Sequence, residues 1–147
     1  MLLRPWRDDD SVDAFRTDAL RRYFGRAAGG IPQRDPDAPD YAIVERATDE
    51  VVGRVWCRWG ARPPEIGYFL REDAWGRGLA TRSVKLVTGR LLGPGGNERV
   101  LLYTHPENVA SQRVAERCGF APDGIDESYA HFRDGSTRAL RFVLTRA

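Results

Sequence analysis

Hydrophobic residues recur along the chain with two different periods, and each change of period marks a predicted element. A period near four predicts helices over residues 12–23, 77–92 and 108–118. Alternation, or a short hydrophobic run bounded by Gly and Pro, predicts seven strands. They cover residues 2–6, 41–45, 51–57, 65–71, 99–104, 128–132 and 137–144.

The order of these elements predicts the fold class. A strand and a helix come first, a proline-rich linker over residues 31–39 follows, and the remaining elements read β, β, β, α, β, α, β, β. Strands and helices mixed in this way indicate an α/β protein built on a sheet. The last two strands form a predicted hairpin that turns at Asp134 and Gly135. No repeat or second domain is evident, so we predict one domain over residues 1–147.

The composition describes a folded protein of mixed charge. Hydrophobic residues make up 41% of the chain, and 23 basic against 21 acidic residues leave a net charge of +2. This charge does not favour nucleic acid as a partner. No hydrophobic run approaches the roughly 18 residues of a membrane helix, and the first residues lack the pattern of a signal peptide. We therefore expect a cytoplasmic protein without a membrane partner, either a monomer or a homodimer.

The two cysteines are expected to be reduced thiols in the core. Cys57 and Cys118 lie inside predicted regular elements and lack the spacing of metal ligands, so we expect no metal site. A nucleophilic cysteine needs a histidine partner and an electropositive site, whereas Cys118 continues a hydrophobic stripe with Ala110 and Val114. We therefore expect no catalytic role for it.

The turn between the strand at 65–71 and the helix at 77–92 carries the strongest chemical signal. It reads Trp75-Gly76-Arg77-Gly78-Leu79-Ala80-Thr81. Backbone N–H groups at a helix start are unpaired and carry the positive end of the helix dipole, so they suit a phosphate or pyrophosphate. The glycines let such a ligand approach closely. The spacing matches neither a P-loop nor a dinucleotide fingerprint, and a plain turn that uses glycine only for geometry is the alternative.

Three segments follow one another in order: residues 65–70, 75–81 and 108–120, the last with Asn-x-x-Ser at its start and Gly-Phe at its end. This succession resembles the GNAT superfamily of N-acetyltransferases, and within it the branch of ribosomal-protein N-terminal acetyltransferases and their small-molecule relatives. The resemblance extends over nearly the whole chain. It implies a mixed, mostly antiparallel sheet with splayed central strands and flanking helices, and acetyl-CoA as co-substrate.

The resemblance also implies which residues bind acetyl-CoA. The pyrophosphate would lie on the turn, where Trp75 replaces the usual Gln or Arg, and the pantetheine would lie between the splayed strands. The implied contacts, mostly through backbone N–H groups, are Phe69, Leu70, Arg71, Arg77, Gly78, Leu79, Ala80, Thr81, Asn108 and Ser111. The side chains of Arg77 and Arg82 can reach phosphate or simply form a solvated helix face. Asn108 is also a candidate N-cap, and Gly119 with Phe120 reads as a Schellman end.

Two residues are implied as catalytic. Many relatives place a tyrosine four residues before Gly-Phe as the acid for the departing thiolate, but that position is Ala115 here. Ser111 is therefore the predicted acid, and a first-turn helix serine is the alternative. Glu65 matches a carboxylate position in several relatives and is the predicted base, with a solvated strand-end glutamate as the alternative. His105 and Glu107 are weaker candidates for the base.

The implied reaction is transfer of an acetyl group to a primary amine by direct attack in a ternary complex. The acceptor is either a protein or peptide N-terminus or a small-molecule amine. Acidic residues can attract a cationic amine or can simply be solvated. They are Asp35, Asp37, Asp40, Asp123, Asp126 and Glu127. A non-catalytic CoA-binding or protein-interaction module on the same fold is the alternative function.

Overall fold

The computed structural model describes residues 1–7, 9–10, 39–58, 63–130, 132 and 134–147. The predicted helix over 12–23 and the predicted linker up to residue 38 lie outside the described residues. So do Asp35 and Asp37, two of the acidic residues considered for the acceptor.

The described strands assemble into one mixed sheet, which confirms the predicted α/β class. They are β1 (Leu2–Arg4), β2 (Asp40–Glu45), β3 (Glu50–Arg58), β4 (Glu65–Leu70), β5 (Arg99–Thr104), β6 (Ala121–Asp126) and β7 (Ala139–Thr145). Their order across the sheet is β1-β2-β3-β4-β5-β7-β6. Neighbouring strands are antiparallel except β4 and β5, which are parallel.

The parallel strands β4 and β5 separate almost at once. They pair at Glu65 and Leu101, beside a hydrogen bond from the Leu101 N–H to the Pro64 carbonyl (2.9 Å). On its other edge, β4 pairs with β3 along its full length, from Glu65 to Leu70. β4 and β5 therefore diverge toward their carboxyl ends, as predicted. We call the opening between residues 66–70 and 102–104 the splay.

Two described helices follow these strands. α1 (Leu79–Leu91) comes after β4, a 3-10 turn at Glu72–Ala74 and the glycine turn, and α2 (Val109–Arg117) comes after β5. Because β4 and β5 are parallel, both helices begin at the edge of the sheet where the splay is widest. In the part of the chain that the structure describes, neither helix is long and apolar enough to cross a membrane.

The helices cover one face of the sheet with a hydrophobic core. The buried side chains of α1 include the whole predicted stripe, Ala80, Val84, Val87 and Leu91. The buried face of α2 differs from the prediction, because Ala110 is exposed and Val114 only half-buried. Cys118 is buried as predicted, and Ser111 and Ala115 are buried with it, at the i, i+4, i+7 spacing of a helix face.

The final hairpin also differs from the prediction. Its first strand is β6 at Ala121–Asp126, not residues 128–132, and it pairs with β7. β6 contains Pro122 and Gly124; an edge strand tolerates proline, and its register with β7 shifts between Pro122 and Ile125. Residues after β6 instead approach the sheet through aromatic contacts: Tyr129 stacks on Tyr103 of β5 with ring centroids 4.7 Å apart.

Candidate active site

The first turn of α1 is an open cluster of backbone N–H groups. Gly78 is its N-cap, with a left-handed φ of 73°, and no side chain caps this turn among the described residues. The first bond within the helix runs from the Arg82 N–H to the Gly78 carbonyl (3.1 Å), so the N–H groups at 79–81 have no acceptor in the helix. A Cβ at Gly76 or Gly78 would meet nothing within 4 Å. The approach to these donors is therefore open.

Two arginines beside this turn, Arg71 and Arg77, already have carboxylate partners. Arg77 forms an ion pair with Glu45 of β2. Arg71 bonds both Glu50 (2.6 Å) and Asp73 (2.5 Å). A phosphate contact from either guanidinium would require an exchange of partners, so the backbone is the better donor set at this turn.

The backbone of β4 presents polar groups to the splay at alternate residues. The Arg71 N–H donates to the Val52 carbonyl (2.8 Å) and therefore faces β3. One residue earlier, the Leu70 carbonyl faces the opposite edge and accepts a bond from the Trp75 indole N–H (2.9 Å). Of the three predicted strand contacts, Leu70 thus has its backbone on the splay side. The Phe69 backbone and the Arg71 N–H face β3, and the Arg71 carbonyl accepts a bond from the Ala74 N–H (2.9 Å). Trp75 fixes the glycine turn to the strand end.

The first turn of α2 is closed by a side chain. The Asn108 Oδ1 accepts a hydrogen bond from the Ser111 N–H (3.1 Å), which confirms the predicted N-cap. At the other end, Gly119 has a φ of 87° and the Phe120 N–H donates to the Ala115 carbonyl (3.0 Å). This is the predicted Schellman end. Both ends of α2 are thus fixed, so the position of Ser111 at the splay is well defined.

Ser111 is joined at the splay by Tyr68 of β4. The Tyr68 hydroxyl donates to the Ser111 Oγ over 3.0 Å, and Ser111 is buried. Burial raises the pKa of Tyr68 to about 12. The bond connects a strand on one wall of the splay with a helix on the other. We did not predict a role for Tyr68, because its partner is 43 residues away and only strand alternation indicated which face it shares.

Glu65 lies at the closed end of the splay and is buried, not solvated (9% exposed). One carboxylate oxygen accepts a bond from the Tyr129 hydroxyl, and the other lies 3.8 Å from the Arg58 Nε. Burial, and then the charge of Glu65, raise the pKa of Tyr129, so this phenol remains a donor. Glu65 and Tyr68 project from opposite faces of β4. Because Ser111 bonds Tyr68, the predicted base Glu65 and the predicted acid Ser111 approach the splay from opposite sides of the sheet.

His105 ties the end of β5 to the segment that follows β6. The Glu107 N–H donates to its Nδ1 (3.1 Å), so a neutral ring carries its proton on Nε2. That nitrogen lies 3.1 Å from both the Asp134 Oδ2 and the Ser136 Oγ. Phe132 packs edge-on against the ring, with centroids 5.0 Å apart. Both ring nitrogens therefore have partners, and His105 and Glu107 stay weaker candidates for the base.

The cysteines are free and buried, as predicted. Burial raises the pKa of each thiol to about 11, so both are protonated near neutral pH and are poor nucleophiles. The Cys118 Sγ lies 3.5 Å from the Thr81 carbonyl and joins the end of α2 to the first turn of α1. Among the described residues, no group of three or more His, Cys, Asp and Glu side chains could hold a metal ion.

Several acidic residues considered for attracting an amine have arginine partners. The pairs are Asp40 with Arg54 (2.7 Å), Asp123 with Arg141 (3.0 Å) and Glu127 with Arg138 (3.0 Å). Asp126 accepts a bond from the Ser128 N–H (2.9 Å). Since three of these charges are already paired, they offer less attraction to a cationic acceptor than their number suggests.

Comparisons with known proteins bear on this arrangement. A family model described as an acetyltransferase (GNAT) domain matches residues 1–121. A mycothiol acetyltransferase of Mycobacterium leprae is 35% identical over 110 residues, which are 67% of this chain and 35% of that relative. The chain thus spans about a third of the length of this curated relative.

Solved structures share the fold. An acetyltransferase of the GNAT family from Bacillus anthracis superposes with a TM-score of 0.79 at 15% identity, over 98% of this chain and 93% of that one. The ribosomal L7/L12 alpha-N-protein acetyltransferase RimL, solved in complex with coenzyme A, has a TM-score of 0.65 at 21% identity, over 74% and 62%. At these identities the likeness concerns the fold alone.

Proposed function

Because the chain belongs to the GNAT acetyltransferase family, we propose that it transfers the acetyl group of acetyl-CoA to a primary amine. The observation that carries this proposal is the splay between β4 and β5, with the uncapped first turn of α1 at its open edge. An opening between two strands suits an extended pantetheine arm, whose amide groups can pair with strand backbone. The bare N–H groups of the turn suit its pyrophosphate.

The residues at the turn fit such a ligand. Gly78 leaves open space where a side chain would stand, and the N–H groups of residues 79–81 lack helical acceptors. Leu70 adds its backbone N–H on the splay side, since its carbonyl already accepts from the Trp75 indole. Asn108 keeps its amide NH₂ for a pantetheine contact, since its oxygen is the group that caps α2. Contacts from Phe69, Arg71 and Arg77 also remain proposals. The Arg71 N–H is bonded to β3 and both arginine side chains are paired with carboxylates, so such contacts need other groups of these residues.

The proposed reaction is direct attack in a ternary complex. The amine nitrogen forms a bond to the thioester carbon, the carbon–sulfur bond breaks, and the proton lost by nitrogen balances the proton taken up by sulfur. Glu65 is the proposed acceptor of the nitrogen proton, directly or through water, and Ser111 the proposed hydrogen-bond donor to the sulfur. Ser111 bonds Tyr68, which projects from the face of β4 opposite to Glu65, so the proposed proton acceptor and the proposed donor to sulfur are kept apart.

The acceptor is a small-molecule amine or a protein or peptide N-terminus. The names of the relatives divide in the same way, since one is named a mycothiol acetyltransferase and another a ribosomal L7/L12 alpha-N-protein acetyltransferase. We further infer a cytoplasmic location, one domain over residues 1–147, and a monomer or homodimer. The unbroken sheet from Leu2 to Thr145 supports the single domain.

A thiol-release assay tests the proposal. Purified protein is mixed with acetyl-CoA and a panel of small amines, polyamines and short peptides with free N-termini, and free CoA is measured with a thiol reagent. We expect release that depends on one class of amine, with an acetylated product of matching mass. If calorimetry shows acetyl-CoA binding but no amine in the panel supports release, the non-catalytic CoA-binding module becomes the better description.

A further inference from the structure

Tyr68 is placed differently from its neighbours on β4. Ile66, Tyr68 and Leu70 share the face of the strand that meets the helices, and among these three only Tyr68 carries a polar group. Its hydroxyl donates to the Ser111 Oγ over 3.0 Å and so spans the splay from strand to helix. Ala115, four residues after Ser111 on the same face of α2, is fully buried and has no polar atom in its side chain. The hydroxyl that reaches Ser111 therefore comes from the sheet.

The hydrogen bonds of Ser111 leave one donor unused. Its N–H donates to Asn108 (3.1 Å), and its Oγ accepts from Tyr68. A serine hydroxyl has one hydrogen and two acceptor sites. With one acceptor site occupied by Tyr68, the Ser111 hydrogen is directed away from Tyr68 and is available to a group that enters the splay.

We propose that Tyr68 is a positioning residue for acetyl transfer: its hydroxyl orients Ser111 so that the Ser111 hydroxyl donates to the sulfur of the acetyl thioester. This inference rests on the proposed function. As the bond from nitrogen to the acetyl carbon forms and the carbon–sulfur bond breaks, negative charge collects on sulfur, and an oriented donor there lowers the barrier. Tyr68 touches neither the amine nor the thioester in this arrangement. It acts only through Ser111.

The acid–base behaviour of Tyr68 agrees with this role. Because burial raises its pKa to about 12, the phenol stays protonated over the pH range in which amines are commonly acetylated. A tyrosine of this kind keeps its own proton and serves as a fixed donor. The proton that sulfur gains is still balanced by the proton that the amine loses.

A double-mutant cycle in kcat tests the proposal on the full chain. The variants are Tyr68→Phe, Ser111→Ala and the double variant, each with acetyl-CoA and one amine accepted by the wild type. We expect Tyr68→Phe to lower kcat about tenfold, the size expected for one lost orienting hydrogen bond, with acetyl-CoA affinity unchanged. The double variant should match Ser111→Ala within about twofold, because Tyr68 has nothing left to orient.

Tyr41→Phe is the matched control, since it also removes one tyrosine hydroxyl with a single side-chain partner, Arg90 (2.7 Å). It should leave kcat unchanged. A wild-type kcat in Tyr68→Phe, or losses that multiply in the double variant, would overturn the role of Tyr68 while the acetyl transfer itself stands. A wild type without turnover would overturn both proposals.

A second measurement applies if Tyr68→Phe folds poorly. Fluorotyrosine at position 68 keeps the ring and the hydroxyl but makes the hydroxyl a stronger donor. Replacing Tyr68 by fluorotyrosine should change kcat in the otherwise wild-type protein, and should leave kcat unchanged in the Ser111→Ala variant. An equal change in both chains would contradict the proposal.

Discussion

The first turns of α1 and α2 lie at the same edge of the sheet, but one is open and the other is closed. At α1 the N-cap is Gly78, which offers no side chain to the N–H groups that follow. At α2 the N-cap is Asn108, and its oxygen takes the Ser111 N–H at 3.1 Å. Both helices carry the positive end of a dipole toward the splay. In the described first turns, the N–H groups of residues 79–81 at α1 lack helical acceptors, whereas at α2 the N–H groups of Val109 and Ser111 already have acceptors.

Under the proposed function, this difference assigns acetyl-CoA binding to the backbone of one turn and catalysis to a side chain of the other. The turn before α1 contributes backbone, so the identity of its side chains matters less than the space they leave. The turn before α2 contributes side chains, Asn108 and Ser111, whose positions are fixed by the cap. We therefore expect substitutions at the first turn to act on acetyl-CoA affinity through the backbone, and substitutions at the second to act through the lost side chain: on turnover at Ser111, and on stability or a pantetheine contact at Asn108.

The largest effect is expected at Gly78. Gly78→Asp should raise the dissociation constant for acetyl-CoA at least about 100-fold, because its carboxylate stands where the pyrophosphate is proposed to bind. Isothermal titration calorimetry measures it. Gly78→Asn is the matched control: asparagine and aspartate both tolerate the φ of 73° found there, and they differ by one charge. Equal affinities for the wild type and Gly78→Asp would place the pyrophosphate elsewhere and remove the contrast between the two turns.

The next effect belongs to the closed turn. Ser111→Ala should lower kcat by about 100-fold or more, since the developing thiolate loses its donor. Acetyl-CoA affinity and the melting temperature should stay near their wild-type values, because the cap uses the backbone N–H of Ser111 and not its side chain. Steady-state kinetics, calorimetry and thermal melting on the same preparation check these three statements. Unaltered turnover would leave Ser111 as a structural first-turn serine.

The contrast between the two turns could be predicted in part from the sequence. Glycine spacing identified the first turn, and the Asn-x-x-Ser pattern before a helical stripe identified the second. The family resemblance, confirmed by the match over residues 1–121, supplied the splayed strands. These features are local, or are carried by a motif, and so can be predicted from one sequence.

Contacts between distant segments could not be predicted. Tyr68 and Ser111 are 43 residues apart, and Glu65 and Tyr129 are 64 apart, so nothing in either local pattern indicates the pairing. The edge strand β6 was missed for a different reason. Its proline and glycine oppose a strand locally, and pairing with β7 on one side only is what makes them tolerable.

A third prediction concerns Glu65, which lies at the closed end of the splay, away from both turns. If Glu65 accepts the amine proton, kcat/KM should rise with pH through one ionisation. Glu65→Gln should flatten this rise or shift it along the pH axis, so that kcat/KM at the low-pH end changes by up to about tenfold. Glutamine keeps an oxygen that can accept the bond from Tyr129. Glu116→Gln, at an exposed carboxylate on α2, is the matched control and should keep the wild-type profile.

The amine also titrates, so the pH profiles must be compared on one acceptor. Superimposable profiles for the wild type and Glu65→Gln would assign deprotonation to solvent or to another group such as His105. Catalysis would then rest on positioning.

The smallest expected effect is at Asn108. Its variants distinguish two roles: an N-cap alone, or an N-cap that also contacts acetyl-CoA. Asn108→Ala should lower the free energy of unfolding by about 1 kcal/mol and the melting temperature by about 4 °C, because the Ser111 N–H loses its acceptor. Asn108→Asp should keep the stability, since its carboxylate caps equally well and favours the helix dipole. It removes the amide NH₂, however. If that group contacts pantetheine, Asn108→Asp should raise the KM for acetyl-CoA several-fold at wild-type stability, whereas an unchanged KM would show that Asn108 closes the turn and does nothing more.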